Sequence, residues 1–345
     1  MNIGVWNFHE ILHEHNVMFS EDNELNRGED SLKPFYRLCM HLKNLGHQIR
    51  ILYEYENLDE IDLFIYINFP NLKKDIIKNS FKTSKSKILF MYECEAIHPS
   101  NYDNLDKFDY CFTWDDTLVD NKKFYKINCP SYENFHLNQN INFSLSEKKL
   151  LTFISSKKFS FDKKEIYSLR ENIINFYELN DNYSFDFYGF GWENYDFKYF
   201  KILNKIINRI KPLKKLLRKK YKNYKGTIVG RKEQVIKNYK FCFCIENAKS
   251  FEGYITEKIF HCFFGGSVPI YYGCQNIEQH IPSNCFIDFN SFKNLNDLHQ
   301  YIENMSNIEY QKYLTNIKSF LESKKYQQFT IDFYINNFMK VFNLL

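Results

Sequence analysis

The strongest constraint on the fold is a repeated alternation of short apolar runs with helix-like stretches. In the first third of the chain, apolar residues at helical spacing mark residues 32–45 and 71–80. Around them lie short apolar runs typical of buried strands, at residues 3–8, 48–53, 61–67, 87–92 and 108–114. Strands that alternate with helices in this way predict a parallel sheet with helices on its faces.

A second alternation follows a stretch rich in Asn, Ser and Lys at residues 134–149, which we interpret as an inter-domain linker. Helices are predicted at residues 163–177 and 256–264, with a long basic helical stretch between them. The predicted strands are residues 150–155, 184–188, 241–245 and 268–271. The sequence therefore predicts two α/β domains in tandem, at residues 1–145 and 146–325, followed by a closing amphipathic helix at residues 326–345.

The composition excludes several other classes of protein. Hydrophobic residues make up 44% of the chain and charged residues 26%, which is ordinary for a globular protein and excludes a disordered chain or a coiled-coil rod. No run of about 18 consecutive apolar residues occurs, and no apolar signal segment opens the chain. The nine cysteines follow no metal-ligand spacing, so we interpret them as reduced thiols and expect a cytoplasmic location.

The net charge of +4 comes from one basic segment. Residues 201–225 contain 11 Lys and Arg and no Asp or Glu, with an apolar stripe at helical spacing and a kink predicted at Pro212. Such a helix can lie on an anionic membrane surface, or it can be a solvated helix whose stripe packs on its own domain. Both alternatives stay open. The segment has few interleaved aromatic residues, which argues against a nucleic-acid partner.

The densest cluster of chemically versatile residues follows the predicted strand at residues 241–245. Ligands of parallel sheets bind beyond the carboxyl ends of the strands, so we expect this cluster to face an inter-domain cleft. The chain returns there to a helix whose first turn holds Thr256, Glu257 and Lys258. Thr256 suits the N-cap, and the helix N-terminus together with Lys258 would attract a phosphate. Alternatively, Glu257 only favours the helix dipole and Lys258 is solvated.

Several motifs around this cluster occur in the order typical of one enzyme family. Residues 239–247, 253–259 and 268–273 closely resemble the signature of glycosyltransferase family 10, the α-1,3/4-fucosyltransferases, in its bacterial form. The likeness continues through residues 281–282 and 286–289, and upstream through residues 186–192. It covers roughly residues 150–302, whereas the N-terminal half matches only loosely.

The resemblance implies the GT-B fold, in which two Rossmann-like domains face each other across a cleft. It places GDP-fucose on the C-terminal domain and the acceptor on the N-terminal domain. The implied activity is inverting transfer of L-fucose from GDP-β-L-fucose to an acceptor hydroxyl, by resemblance the 3-OH of N-acetylglucosamine or glucose. The expected acceptor is an oligosaccharide or lipid-linked glycan of bacterial surface polysaccharide or lipopolysaccharide. The alternatives are a transferase that uses another nucleotide sugar and a silent glycan- or nucleotide-binding module.

The resemblance also assigns residues to the donor. It places Glu257 near the fucose and Lys258 at the diphosphate, and it places Asn247 and Tyr254 in the same pocket. Arg170, on the predicted helix at residues 163–177, matches an arginine of the family that binds the diphosphate; the alternative is an ordinary exposed helix arginine.

Two further expectations concern the nucleotide and the metal. Gly189 lies in a turn after a predicted strand, where glycine permits close approach of the backbone to a nucleotide. Departure of GDP builds negative charge on the diphosphate, and two fixed cations, Arg170 and Lys258, would stabilise that charge as a metal does. The chain has no persuasive Asp-x-Asp motif, so we predict that no metal cofactor is required.

Inversion at the anomeric carbon needs a base that takes the proton of the acceptor hydroxyl as it attacks. The resemblance places a catalytic glutamate in residues 91–99, after a predicted strand and before a proline. Glu95, four residues before Pro99, is the preferred candidate and Glu93 is the alternative. A third interpretation is that both are solvated loop carboxylates.

Overall fold

The computed structural model describes residues 1–9, 12–13, 18–19, 32–128, 132, 148–194, 209–210 and 220–345. Most of the predicted linker and of the basic segment, residues 134–147, 201–208 and 211–219, lies outside the described residues. The membrane prediction for residues 201–225 falls mainly on that part of the chain.

The N-terminal half contains a six-stranded parallel sheet. Its strands are β1 (Asn2–Asn7), β2 (Gln48–Ile51), β3 (Leu63–Ile67), β4 (Ser86–Met91), β5 (Tyr110–Thr113) and β6 (Phe124–Lys126). They lie side by side in the order β2-β1-β3-β4-β5-β6. The helices described here are α1 (Lys33–Asn44), α2 (Asp75–Ser80) and α3 (Ser100–Asp103). Every residue of β3 is buried, as expected for a parallel strand covered on both faces.

The C-terminal half contains a five-stranded parallel sheet. Its strands are β7 (Lys149–Ile154), β8 (Phe185–Tyr188), β9 (Tyr239–Ile245), β10 (Val268–Tyr272) and β11 (Ile287–Asp288), in the order β11-β10-β9-β7-β8. The helices are α4 (Tyr167–Leu179), α5 (Glu233–Ile236), α6 (Glu257–Phe264), α7 (Ile277–His280), α8 (Leu295–Glu303) and α9 (Asn307–Leu321). The predicted α/β class with two parallel sheets is confirmed.

The last helix, α10 (Ile331–Phe342), returns to the N-terminal sheet. Phe338 stacks on Phe90 and packs against Phe112, with ring centroids 5.9 and 5.4 Å apart, and Asn337 donates to the Lys126 carbonyl at 2.8 Å. The helix begins later than its sequence pattern indicates, because Thr330 is the N-cap and its hydroxyl accepts the Phe333 N–H. The last helix therefore packs against the N-terminal sheet and forms part of its core.

An apolar cluster joins the two halves beside the cleft. Trp114 from the first half packs on Tyr254 from the second, with ring centroids 4.8 Å apart, and the same cluster contains Cys94, Ala248 and Phe251. The loop that follows Phe251 approaches Trp114 so closely that a Cβ on Gly253 would lie 2.3 Å from the Trp114 carbonyl oxygen.

A polar group continues this interface. Asp116 accepts hydrogen bonds from Lys126 at 2.5 Å and from Asn276 at 2.8 Å, and it lies 2.7 Å from Nε2 of His280. Burial opposes the charge of Asp116, but the bonds from His280 and Lys126 hold its pKa well below the usual range. The interface therefore combines apolar packing with an ionised carboxylate.

We expect Gly253→Ala to lower the free energy of unfolding by about 2 kcal/mol more than Gly46→Ala. Both glycines have positive φ, at +80° and +88°, so both substitutions strain the backbone. Only Gly253 also faces a close backbone neighbour, because nothing lies within 4 Å of a Cβ added at Gly46. Urea denaturation of the two variants measures the difference, and equal losses would contradict the close approach at Trp114.

Candidate active site

A cleft with a cavity volume of about 500 Å³ lies between the carboxyl ends of the two sheets. The loops after β3 and β4 line one wall, and the loops after β7, β8 and β9 line the other. This is the position expected for a ligand site in paired parallel sheets. The cleft brings together seven of the eight candidate residues from the sequence, namely Glu93, Arg170, Gly189, Asn247, Tyr254, Glu257 and Lys258.

A buried carboxylate fixes the turn that carries Glu257 and Lys258. Glu246, at the end of β9, is fully buried and accepts hydrogen bonds from the Thr256 N–H at 2.8 Å, the Thr256 hydroxyl at 2.6 Å and Lys258 Nζ at 2.9 Å. Thr256 is the N-cap of α6 as predicted, but its hydroxyl donates to Glu246 and makes no capping bond. Glu246 directly follows the strand predicted at residues 241–245, and no role was predicted for it from the sequence.

Neighbouring charged groups shift the pKa values of Lys258 and Glu257 in this turn. Burial opposes the charge of Lys258, but the carboxylates of Glu246 and Glu257 raise its pKa above the usual range. Burial likewise opposes the charge of Glu257, but Lys258 and Lys232 lower its pKa well below the usual range. The cleft therefore presents a fixed cation beside a fixed anion, and Lys258 is not a solvated surface lysine.

Arg170 lies on α4 and lines the cleft. It is 4% exposed, so it is not the exposed helix arginine of the alternative interpretation. Its Nη2 donates to the backbone oxygens of Ile245 and Glu246, at 2.7 and 2.5 Å, and to Asn247 Oδ1 at 2.9 Å. Its Nε has no hydrogen-bond partner among the described residues. The guanidinium is thus held at the end of β9, and its Nε is buried and unpaired among the described residues.

The two candidate base residues occupy different surroundings. Strand β4 ends at Met91, and the chain then turns at Cys94, whose carbonyl accepts the N–H groups of Ile97 and His98. Glu93 lines the cleft, and burial raises its pKa although Lys158 and Lys258 act to lower it.

Glu95 lies outside the cleft lining. Its side chain is 52% exposed and pairs with Lys164 at 3.4 Å. The preference for Glu95 that the sequence suggested is therefore not supported by its position, and the placement favours Glu93. The spacing to Pro99 carries no information on where the turn directs each side chain, and the choice of base stays a prediction.

The cleft also contains cations that were not singled out from the sequence, among them Lys158. Lys158 follows β7, lines the cleft and interacts electrostatically with Glu93, Lys258 and Arg170. Burial lowers the pKa of its ammonium. Its position just beyond a predicted strand is the signal that would have found it, because the carboxyl ends of parallel strands face the ligand.

Gly189 has a packing role in the wall of the cleft. Its φ is +143°, and a Cβ added there would lie 1.8 Å from the carbonyl oxygen of Ser155. The ends of β7 and β8 therefore come together only because residue 189 has no side chain.

Among the described residues, no group of three or more His, Cys, Asp or Glu side chains is arranged to hold a metal ion. Metal independence stays a prediction. In the part of the chain that the structure describes, no helix is long and apolar enough to cross a membrane.

Comparison with known proteins gives a family match in the C-terminal half. Residues 196–337 match the family described as glycosyltransferase family 10 (fucosyltransferase), C-terminal part. An α-(1,4)-fucosyltransferase of Arabidopsis thaliana is 36% identical over 78 residues, which cover 22% of this chain and 19% of that protein. The α-(1,3)-fucosyltransferase FucT of Helicobacter pylori is 33% identical over 82 residues, which cover 24% of this chain and 17% of that protein. This chain thus spans about a fifth of the length of the curated relatives it matches.

The fold has a counterpart over almost the whole chain. A crystal structure of an α-1,3-fucosyltransferase with GDP-fucose superposes with a TM-score of 0.54 at 15% identity, covering 99% of this chain and 90% of that one. This likeness supports the GT-B fold that the sequence predicted. Together, the family match and the relatives confirm that the C-terminal half of this chain is similar to glycosyltransferase family 10, as the motifs indicated.

Proposed function

We propose that this protein is an inverting fucosyltransferase that moves L-fucose from GDP-β-L-fucose to a hydroxyl of an acceptor glycan. The observation that carries the proposal is that Arg170, Lys258, Glu257 and Glu93 face one cleft. Two findings support the choice of donor: the relatives from Arabidopsis thaliana and Helicobacter pylori are fucosyltransferases, and the superposed crystal structure is that of a fucosyltransferase with GDP-fucose.

The diphosphate of the donor binds between Arg170 and Lys258. These cations come from different helices, α4 and α6, and both are held by hydrogen bonds to the end of β9. As the bond to fucose breaks, negative charge grows on the diphosphate, so prearranged cations stabilise the transition state more than the bound donor. Asn247 and Tyr254 form the adjoining wall, and Glu257 lies near the fucose.

Glu93 is the general base. It lies on the N-terminal wall, across from the donor cations, so an acceptor hydroxyl beside it attacks from the side opposite the leaving diphosphate. This direction of attack inverts the anomeric configuration. Partial burial raises the pKa of Glu93, which strengthens the carboxylate as a proton acceptor.

The acceptor sugar binds on the N-terminal wall, and we propose the 3-OH of N-acetylglucosamine or glucose as the site of transfer. Phe8 lines the cleft there in contact with His9, with ring centroids 3.8 Å apart, and an aromatic face suits a sugar ring. An oligosaccharide or lipid-linked glycan of surface polysaccharide or lipopolysaccharide, assembled on the cytoplasmic face of the membrane, fits this chemistry. The basic segment at residues 201–225 is the proposed membrane contact.

We expect Lys258→Ala to weaken the binding of GDP by about 10- to 100-fold, because a charge-assisted contact to the diphosphate is lost. Calorimetric titration with GDP, GDP-mannose and UDP, without added metal, measures this effect. The control is Lys237→Ala, which removes an exposed lysine of the same half of the chain. Preference of the wild type for UDP would overturn the fucose assignment.

We expect Glu93→Gln to lower kcat by about 10²- to 10⁴-fold without weakening GDP binding, because the proton acceptor is lost while the cations of the cleft stay in place. Glu95→Gln is the matched control, since it makes the same chemical change two residues along the chain and outside the cleft. Transfer of fucose from GDP-fucose to a panel of N-acetylglucosamine and glucose acceptors measures both. A large loss in the Glu95 variant with little change in the Glu93 variant would reverse the assignment.

The pH profile tests the charge state of Glu93. The base acts when ionised, so we expect kcat/KM to fall as the pH drops through the pKa of Glu93, which lies above its ordinary value of 4.5. Lys158 acts to lower this pKa, so Lys158→Met should move the acidic limb to higher pH. Lys157→Met is the control, because Lys157 does not line the cleft. An acidic limb that stays in place in the Lys158 variant would contradict the contact.

A further inference from the structure

A buried histidine in the wall of the cleft leaves one ring nitrogen unused. His261 lies on α6, is 4% exposed and lines the cavity. Its Nδ1 lies 2.8 Å from Oε1 of Glu233, but its Nε2 has no hydrogen-bond partner among the described residues. Buried polar atoms are nearly always paired, so an unpaired one in a cavity wall points to a ligand.

Glu233 determines which nitrogen carries the proton. Burial opposes its charge, but the bond with His261 lowers its pKa, so the carboxylate stays ionised. An ionised carboxylate only accepts hydrogen bonds, and therefore Nδ1 of His261 carries the hydrogen. With Nδ1 as the donor to Glu233, Nε2 of the neutral ring is an acceptor, and a hydrogen-bond donor of the cavity's occupant can pair with it.

The position of His261 indicates which part of the donor it meets. It lies four residues after Glu257 and three after Lys258, so it shares their face of α6 one turn further along the helix. The cavity wall around it includes the apolar side chains of Ile236 and Cys262. In the donor orientation proposed above, the fucose points toward Glu93 on the opposite wall, and the nucleoside extends from the diphosphate along the C-terminal wall.

We propose that Nε2 of His261 accepts a hydrogen bond from the nucleoside of the sugar nucleotide, and that Glu233 is a positioning residue that fixes the imidazole tautomer. This inference rests on the proposed function, because it needs a sugar nucleotide in the cleft. A ribose hydroxyl and an N–H of the base are the nucleoside groups that supply such a hydrogen.

Calorimetric titration of the full chain with GDP and with inorganic pyrophosphate tests the proposal. We expect His261→Phe, which keeps a ring and loses the acceptor, to weaken GDP binding by about three- to tenfold and to leave pyrophosphate binding unchanged. His261→Gln, whose amide oxygen can accept a hydrogen bond, should restore part of the affinity. Equal weakening of GDP and pyrophosphate, or unchanged binding of GDP, would overturn the proposal.

Glu233→Gln provides a second variant that leaves the ring in place. An amide can donate as well as accept, so the tautomer of His261 is no longer fixed, and we expect a smaller loss that is again confined to GDP. If His261→Phe does not fold, Glu233→Gln tests whether the imidazole of His261 contacts the nucleoside. A loss shared by pyrophosphate would mean that Glu233 supports the fold alone.

Two nucleotide analogues identify the group on the nucleoside. If the ribose 2′-hydroxyl is the hydrogen-bond donor, His261→Phe does not weaken the binding of 2′-deoxy-GDP. If the amino group of guanine is the donor, His261→Phe does not weaken the binding of inosine diphosphate. A penalty retained with both assigns the contact to the remaining hydroxyl or ring N–H.

Failure of this inference is distinguishable from failure of the proposed function. If the wild type binds no guanine nucleotide, the proposed function fails. If Lys258→Ala weakens GDP binding and the substitutions at His261 and Glu233 do not, the proposed function stands and only this inference fails.

Discussion

The buried carboxylate of Glu246 organises the C-terminal wall of the cleft. It binds the turn that begins α6 and the ammonium of Lys258, while its backbone oxygen accepts from Arg170. A charge that is fully removed from water is stable only with close partners, so the end of β9, α4 and α6 are obliged to meet at this point. Gly273 leaves room for the Glu246 side chain at this point, because a Cβ on residue 273 would lie 2.4 Å from Glu246 Cγ.

The two carboxylates that face the cleft differ in pKa because their neighbours differ. Glu257 stands next to Lys258 and Lys232, and the pKa of its carboxyl is lowered. Glu93 comes from the opposite sheet, and burial raises its pKa. Separation of the pKa values of two carboxylates in one site is how enzymes divide charge stabilisation from proton transfer. The apolar contact of Trp114 with Tyr254 keeps the two walls at a fixed spacing.

Much of this protein could be predicted from its sequence. Both parallel sheets follow from the alternation of apolar runs with helices, and the ordered motifs around Lys258 indicated candidate residues that line one cleft. Strands β6 and β11 were missed because runs of three and two residues carry no periodicity. The roles of Lys158, Glu233 and His261 were missed because each depends on a contact with a distant segment.

The sequence by itself determined the α/β class, the resemblance of the C-terminal half to one enzyme family, and the candidate residues, because periodicity and motif order are properties of the chain itself. Only the tertiary structure decided which of two nearby glutamates faces the cleft. Glu93 and Glu95 have the same side chain and nearly the same sequence neighbours. Because the chain turns at Cys94 after β4, Glu93 lines the cleft, whereas Glu95 lies outside it and pairs with Lys164. Burial and charge environment arise from long-range packing, so no local pattern specifies them.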